Sequence, residues 1–174
     1  MNDAGVRPFS IRALLEDRAR YLVPMYQRNY AWGEGEITQL LQDVLDYQQK
    51  LVSGKGPQTF YIGTLVVFAR DDGSFEVIDG QQRFTTLSLL ANWLKHHAID
   101  SVDMSWYQTI NLAFESRPIS SHTFERLWQG VAPYDLRGST FNEGLVNGFE
   151  LIDKAMADLG LVGAKLTAFC DYLF

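Results

Sequence analysis

A short polar stretch between a strand pattern and a helix pattern constrains the fold of this chain more than any other segment. The stretch is Asp79-Gly80-Gln81-Gln82-Arg83, and the apolar strand pattern before it ends at Ile78. An Asp-Gly pair between two β-prone runs also favours a hairpin. After the turn, however, the spacing of the apolar residues is helical rather than alternating: Phe84, Leu87, Leu90, Ala91 and Leu94. The sequence therefore predicts a strand, a tight turn and a helix that begins at Phe84.

This arrangement favours an anion above the turn. The start of a helix presents free N–H groups and the positive end of the helix dipole to whatever lies there. Arg83 adds a planar guanidinium that suits phosphate or carboxylate, and the amides of Gln81 and Gln82 both donate and accept hydrogen bonds. We infer a phosphate or nucleotide site. The alternative is structural, with residues 79–83 tying a loop to the sheet.

A predicted hairpin delivers Asp79 to this position. The run Phe60–Ala69 is almost continuously apolar, which is typical of a strand buried on both faces. Residues 70–74 form a turn, and Phe75–Ile78 return as the partner strand. Gly63, inside the first strand, indicates a bulge, a close backbone approach or simple packing.

A second segment repeats the glutamine-arginine chemistry. The run Tyr21–Trp32 begins as a short strand that Pro24 confines to an edge or an end of the sheet. Gln27 and Arg28 follow, among the aromatic residues Tyr26, Tyr30 and Trp32. These rings either form an ordinary packing cluster, or they stack on a base or hold an arginine side chain in place. Gln27 and Arg28 are therefore candidate site residues that should converge with Gln81 and Arg83.

The remaining patterns predict helices and one short strand. Residues 53–57 form a Gly-containing connector that lacks the spacing of a Walker motif. The chain ends on an apolar stripe without a stop signal, which indicates a piece of a longer protein. The predicted elements are a Ser10-capped helix from Ile11 to about Arg18, a helix Glu34–Lys50, a strand Asn111–Phe114, a Ser121-capped helix to Trp128, an Asn142-capped helix, and a last helix from about Ala164 to Phe174.

Composition narrows the class of protein. The net charge of −6 argues against nucleic-acid binding over the whole surface. Residues 1–30, however, carry five arginines and three acidic residues, so a local basic face is compatible with the sequence. Cys170 is the only cysteine, so no internal disulfide and no cysteine metal cluster is expected, and the three histidines are not spaced as metal ligands. The absence of a signal peptide pattern and of long apolar runs predicts a soluble, cytoplasmic protein without a membrane partner.

Two segments together resemble a known family. The run Tyr21–Trp32, followed by Phe60–Thr64 leading to Val77–Leu87, is similar to the N-terminal domain of GmrSD-type, modification-dependent restriction endonucleases, which belong to the ParB/sulfiredoxin-like superfamily. The similarity covers about residues 10 to 130. It implies an α+β fold, a ParB-like small mixed sheet flanked by helices, with a helical C-terminal extension. The implied domains are 1–130, which carries the nucleotide site, and 131–174, the start of a helical region.

The resemblance also implies a function and roles for individual residues. The module would bind a nucleoside triphosphate with Mg²⁺ and hydrolyse it to license DNA cleavage in restriction or phage defence. Asp79 would orient water or magnesium, and Arg83 would neutralise charge on the transferred phosphoryl group. By motif match the catalytic set is Asp79, Gln81, Gln82 and Arg83, and the nucleotide-binding set is Tyr26, Gln27, Arg28, Gly80, Thr85 and Thr86.

One feature of the family has no counterpart here. Full-length members carry a C-terminal HNH-type nuclease domain with a histidine-metal motif, and these 174 residues contain no such motif. DNA would therefore be contacted through the full-length protein, with a helical or HNH nuclease domain as a possible partner. The alternative function is a non-catalytic DNA-binding or assembly module of ParB type, which uses the arginine-bearing N-terminal segment on phosphates.

Overall fold

The computed structural model describes residues 5–55 and 59–174, so part of the predicted connector, Gly56 and Pro57, lies outside the described residues. The described residues form six α-helices and four β-strands. In chain order these are α1 (Ile11–Glu16), β1 (Tyr21–Val23), α2 (Glu34–Val52), β2 (Val66–Ala69), β3 (Phe75–Asp79), α3 (Gln81–His97), β4 (Leu112–Phe114), α4 (Pro118–Trp128), α5 (Glu143–Asp158) and α6 (Gly163–Leu173). None of the described helices is long and apolar enough to span a membrane.

The sheet is mixed, with strand order β2-β3-β1-β4. The central strand β1 is parallel to both β3 and β4, whereas β2 is antiparallel to β3. The three parallel strands therefore end at the same edge of the sheet. This edge carries the segment after β1, the start of α3 and the start of α4. The predicted α+β fold with a small mixed sheet and a helical C-terminal extension is confirmed.

One face of the sheet packs into the core and the other is more open. Side chains alternate along a strand. Val77 of β3 is fully buried, while its neighbour Ile78 is 41% exposed. On β2, Phe68 pairs with Glu76 of β3 on the open face and is 61% exposed. Helix α3 is buried along most of its length, and its flanks pack against α4 and α5.

The prediction of a long strand, Phe60–Ala69, buried on both faces, is wrong. Only Val66–Ala69 are strand, and these residues form an edge that is mostly exposed. The apolar residues before Val66 have another use, because Phe60 stacks on Tyr47 of α2 with ring centroids 4.3 Å apart. A continuous apolar run therefore reflects packing against a helix here, which periodicity does not distinguish from a buried strand.

Two helices begin earlier than predicted. Helix α3 begins at Gln81 rather than Phe84, because the polar side chains of its first turn are buried by contacts with a distant loop. Helix α4 begins at Pro118, a favourable first helical residue, rather than after Ser121. The hydroxyl of Ser121 instead pairs with the backbone of Phe114 at the end of β4.

The other predicted elements are confirmed within a few residues, including the two side-chain caps. Ser10 caps α1 by accepting a hydrogen bond from the Ala13 N–H, and Asn142 caps α5 by accepting one from the Leu145 N–H. Helix α1 ends at Glu16, two residues before the predicted Arg18. These two caps depend only on local sequence, whereas the predicted Ser121 cap is wrong because α4 already begins at Pro118.

Helix α5 receives a buried tyrosine from the segment after β1. An ideal Cβ on Gly148 would lie 2.4 Å from a ring carbon of Tyr30, and one on Gly144 would lie 2.5 Å from the Tyr30 carbonyl oxygen. The Tyr30 hydroxyl reaches α3, where it hydrogen-bonds the Thr86 hydroxyl at 2.8 Å. Tyr30 therefore fixes the segment after β1 against α3 and α5.

Candidate functional site

The turn between β3 and α3 has a geometry that glycine favours. Gly80 has a φ of 88°, and an ideal Cβ there would lie 2.6 Å from the Thr64 carbonyl oxygen. The N–H of Phe84 donates to the Gly80 carbonyl at 3.0 Å, so the N–H groups of residues 81–83 have no acceptor within the helix. The first turn of α3 contains no acidic residue. This helix start therefore favours an anion.

The guanidinium of Arg83 lies beside this turn. The side chain is half-buried, and an ideal Cβ on Gly63 would lie 2.3 Å from its Nη1 atom. Of the three alternatives at Gly63, the structure shows packing, with the Arg83 side chain against the glycine backbone. Among the described residues, Arg83 makes no side-chain hydrogen bond or salt bridge, whereas Arg70 is bound by two glutamates. Arg83 is a half-buried cation available to a ligand.

The amides of Gln81 and Gln82 are occupied by the segment after β1. Gln81 is 5% exposed, and its Nε2 donates to the Arg28 carbonyl at 2.9 Å. Gln82 is 7% exposed; its Nε2 donates to the Asn29 carbonyl at 3.1 Å, and its Oε1 accepts from the Ala31 N–H at 2.9 Å. Both glutamines therefore tie the segment after β1 to the start of α3, which is a structural role of the kind that the alternative gives to residues 79–83. A direct catalytic role for them stays a prediction.

We call residues 25–31 the arginine loop. The predicted convergence of the two glutamine-arginine segments is confirmed at the backbone by the bond from Gln81 to Arg28. A second hydrogen bond joins the loop to the end of strand β3, because Gln27 donates from Nε2 to the Ile78 carbonyl at 2.7 Å. The Arg28 side chain is exposed and makes no hydrogen bond within the described ranges. The arginine loop thus lies beside the start of α3, with one exposed guanidinium.

Tyr26 of the arginine loop is held at its hydroxyl end. Its ring is largely exposed, while the hydroxyl donates to the Glu76 carboxylate. Glu76 in turn binds Arg70, which also binds Glu115. The hydrogen bond from Tyr26, together with that from Arg70, lowers the pKa of Glu76, and the same bond to Glu76 raises the pKa of Tyr26. This network fixes an exposed aromatic ring on the open side of the sheet.

The predicted site residues Thr85 and Thr86 lie in the core. Both are fully buried. The Thr86 hydroxyl donates to the Gln82 carbonyl at 2.9 Å and pairs with Tyr30. The Thr85 hydroxyl has no partner among the described residues. The structure therefore brings Asp79, Arg83 and the arginine loop together, and it directs both threonines towards protein rather than towards the surface at the turn.

Asp79 lies at the end of β3 with an exposed side chain. Within residues 5–55 and 59–174, no group of three or more histidine, cysteine or acidic side chains could hold a metal ion. A cation at this edge would therefore depend on Asp79 together with oxygen atoms from a ligand. Magnesium commonly binds in this way, through one or two carboxylates and substrate phosphates.

Two cavities of the described chain lie away from this turn. A cleft of about 810 Å³ lies at the opposite, amino ends of β1 and β4, where Arg18, Arg20 and Trp106 line it. A smaller cavity of about 360 Å³ lies beside His97 and Tyr134. Neither is lined by residues 79–83.

Sequence reasoning missed Arg117. Its guanidinium donates to the carbonyl oxygens of Met25, at 2.9 Å, and Gln27, and lies 3.5 Å from that of Arg28. These partners are about 90 positions away in the sequence, so no local pattern indicates the contact. The only signal is its position three residues after a predicted strand, at the edge where the other site residues meet.

The fold and the site define a class of protein: an α+β domain with an anion-favouring strand-turn-helix at the carboxyl edge of a small mixed sheet. A family model described as the GmrSD restriction endonuclease, N-terminal domain, matches residues 11–159. The chain belongs to this family, as its motifs predicted, and the match extends through α5. No curated protein and no solved structure showed significant similarity to the chain.

Proposed function

We propose that this domain binds and hydrolyses a nucleoside triphosphate within a DNA restriction or phage-defence protein, and so couples hydrolysis to DNA cleavage by another domain. The observation that carries the proposal is Arg83. A half-buried guanidinium without a carboxylate partner in the described chain, in the first turn of a 17-residue helix, is suited to an anion. Membership of a restriction endonuclease family supports the DNA part of the proposal.

The phosphates would lie over the start of α3. Three backbone N–H groups without helical acceptors and the planar fork of Arg83 provide donors on one side. Arg28, exposed on the arginine loop beside the start of α3, would provide a second guanidinium. In a phosphoryl transfer these groups would neutralise the charge that develops on the transferred phosphoryl oxygens.

Asp79 fits a magnesium ion that arrives with the nucleotide. It is an exposed carboxylate at the end of β3, beside the proposed phosphate position. One carboxylate together with phosphate oxygens is a common magnesium environment. The bound ion would supply positive charge to the phosphates. Asp79 would hold that ion or orient the attacking water, while Gln81 and Gln82 keep the arginine loop in place.

Isothermal titration calorimetry tests the proposal. GTP, ATP, UTP and CTP are titrated with magnesium into the protein and into an Arg83→Ala variant. Binding of at least one nucleotide is expected, and the variant should lose it, because a charge-assisted contact to phosphate contributes about 1.5–3 kcal/mol. An Arg137→Ala variant is the matched control. Its guanidinium is exposed and binds Asn147 and Glu150 on α5, so it should bind nucleotide normally.

A glycine pair tests the same site without changing a charge. Gly63→Ala places a Cβ where the Arg83 guanidinium lies and should weaken nucleotide binding. Gly138 also has a positive φ, of 96°, but nothing lies within 4 Å of its ideal Cβ, so Gly138→Ala shares the backbone strain without the collision. Wild-type protein that binds none of the four nucleotides, or equal binding by Arg83→Ala, would refute the proposal.

The cleft at the amino ends of β1 and β4 favours a second candidate function, a non-catalytic DNA-binding module. Arg18 and Arg20 line it, and their side chains have no hydrogen-bond partner among the described residues. The acids beside them are engaged, Glu16 by Arg12 and Asp17 by Tyr21. DNA retention that falls steeply with salt and does not respond to nucleotide would favour this function.

A further inference from the structure

The least expected contact at the carboxyl edge of the sheet is a guanidinium enclosed by backbone carbonyl groups. Arg117 lies between β4 and α4, and its Nη2 atom donates to both Met25 and Gln27. Its Nη1 atom lies 3.5 Å from the Arg28 carbonyl oxygen, which also accepts the hydrogen bond from Gln81. The arginine loop therefore curves around this cation.

The backbone before Arg117 adopts an unusual conformation. Ser116 has a φ of 55°, and it is the only non-glycine residue with a positive φ in the described chain. Residues other than glycine adopt this region infrequently, and at some energetic cost. The turn leads the chain from the end of β4 to Arg117, whose side chain then reaches beneath the arginine loop. The surrounding structure maintains this strained turn where it delivers the guanidinium.

The carbonyl groups of the arginine loop need this cation. Three carbonyl oxygens that point at one place repel one another, and a planar guanidinium with five donors can bind several of them at once. A lysine would bring one compact charge and could not span the same positions. Holding the loop by its backbone leaves the side chains of Tyr26 and Arg28 exposed.

We propose that Arg117 is a positioning residue that shapes the arginine loop before a ligand arrives. The consequence for ligand binding rests on the proposed function. Because the loop is already ordered, Arg28 is held beside the start of α3 and no loop entropy is lost when the ligand binds. Arg117 does not touch the phosphates. Its effect reaches the ligand through the backbone of residues 25–28.

Hydrogen exchange measures the shape of the loop directly. The Gln27 N–H donates to the Pro24 carbonyl at 3.1 Å, across the turn that Arg117 supports. In an Arg117→Ala protein this amide should exchange about tenfold faster, because the turn opens more often. Arg117→Lys keeps a positive charge and should show an intermediate exchange rate. It serves as the second variant if Arg117→Ala does not fold. Arg137→Ala, which removes an exposed guanidinium on the far side of α5, should leave the rate unchanged.

Chemical rescue separates positioning from a general loss of stability. Millimolar guanidinium chloride should slow the exchange of the Gln27 amide in Arg117→Ala and restore nucleotide affinity, which is expected to be about tenfold weaker without it. The same concentration of tetramethylammonium chloride, which has no N–H donors, should do neither. Unchanged exchange in Arg117→Ala, or an equal response to the two salts, would overturn the inference. If wild-type protein binds no nucleotide, the proposed function fails, and the exchange rates still decide the role of Arg117.

Discussion

Replacing Gln82 with methionine isolates the contribution of one motif side chain to the fold. Gln82→Met keeps the length and most of the volume of the side chain but removes two hydrogen bonds, to the Ala31 N–H and the Asn29 carbonyl. Each backbone group left without its partner costs roughly 1–3 kcal/mol when buried, and less where water can replace the partner. Ala31 and Asn29 are exposed residues. The expected loss of unfolding free energy is therefore about 1–3 kcal/mol in total.

Urea denaturation measures this loss, and Gln39→Met provides the control. Gln39 is an exposed glutamine of α2 whose amide donates to Asp43 one turn along the helix, at 2.6 Å. Such a pair contributes only about 0.2–0.5 kcal/mol. The urea concentration at the midpoint of unfolding should fall clearly for Gln82→Met and hardly at all for Gln39→Met. The dependence of the unfolding free energy on urea concentration should be similar in both variants. Equal losses in the two variants would show that the ties of Gln82 to the arginine loop do not stabilise the fold.

Two further predictions concern Tyr30. Gly148→Ala should destabilise the protein by about 1–3 kcal/mol, because its Cβ would collide with the Tyr30 ring; Gly35→Ala in α2, where nothing lies within 4 Å, should instead stabilise it by up to about 1 kcal/mol. Thermal denaturation of both variants measures these changes, and the melting temperature should fall for Gly148→Ala and rise for Gly35→Ala. Burial raises the pKa of Tyr30 from 10.0 to about 12, so its stabilising contribution is complete below pH 10 and is lost as pH rises to about 12. Urea denaturation across this window should show a shallower decline for Tyr30→Phe than for wild type, and parallel curves would contradict the assignment.

Local chemistry made part of this fold predictable. The Asp-Gly turn, the hairpin before it and two of the three predicted side-chain caps, at Ser10 and Asn142, follow from neighbouring residues and are confirmed. The predicted start of α3 at Phe84 is wrong because apolar spacing begins there, whereas the helix begins at Gln81. Gln81 and Gln82 belong to the helix and are buried by hydrogen bonds to residues more than 50 positions away. Polar residues that are buried through long-range bonds carry no periodic signal.

The same distinction between local and long-range contacts explains which residues of the candidate site the sequence indicates. Arg83 and Arg28 can be proposed as site residues from the sequence, because a guanidinium near a helix start or among aromatic residues has a recognisable chemistry. Arg117 was missed because its partners are carbonyl groups, which every residue has. The long strand predicted for 60–69 failed for a related reason. Phe60 stacks on a helix, and Gly63 makes room for Arg83, so the apolar run is divided between two tertiary contacts rather than paired along a sheet.

The geometry also explains why position 82 needs an amide rather than a carboxylate. Gln82 accepts from one backbone group and donates to another, and an ionised glutamate can only accept. Gln82→Glu should therefore lose more unfolding free energy at pH 7 than Gln82→Met, since its second oxygen would face the Asn29 carbonyl. That repulsion should raise the pKa of the new carboxyl group in the folded state, because the protonated form can donate. Stability relative to wild type should thus recover as pH falls below the raised pKa and be lost as pH rises through it. Urea denaturation between pH 4 and pH 7.5 measures this recovery, and a difference from wild type that does not change with pH would show that the Asn29 carbonyl does not face this side chain.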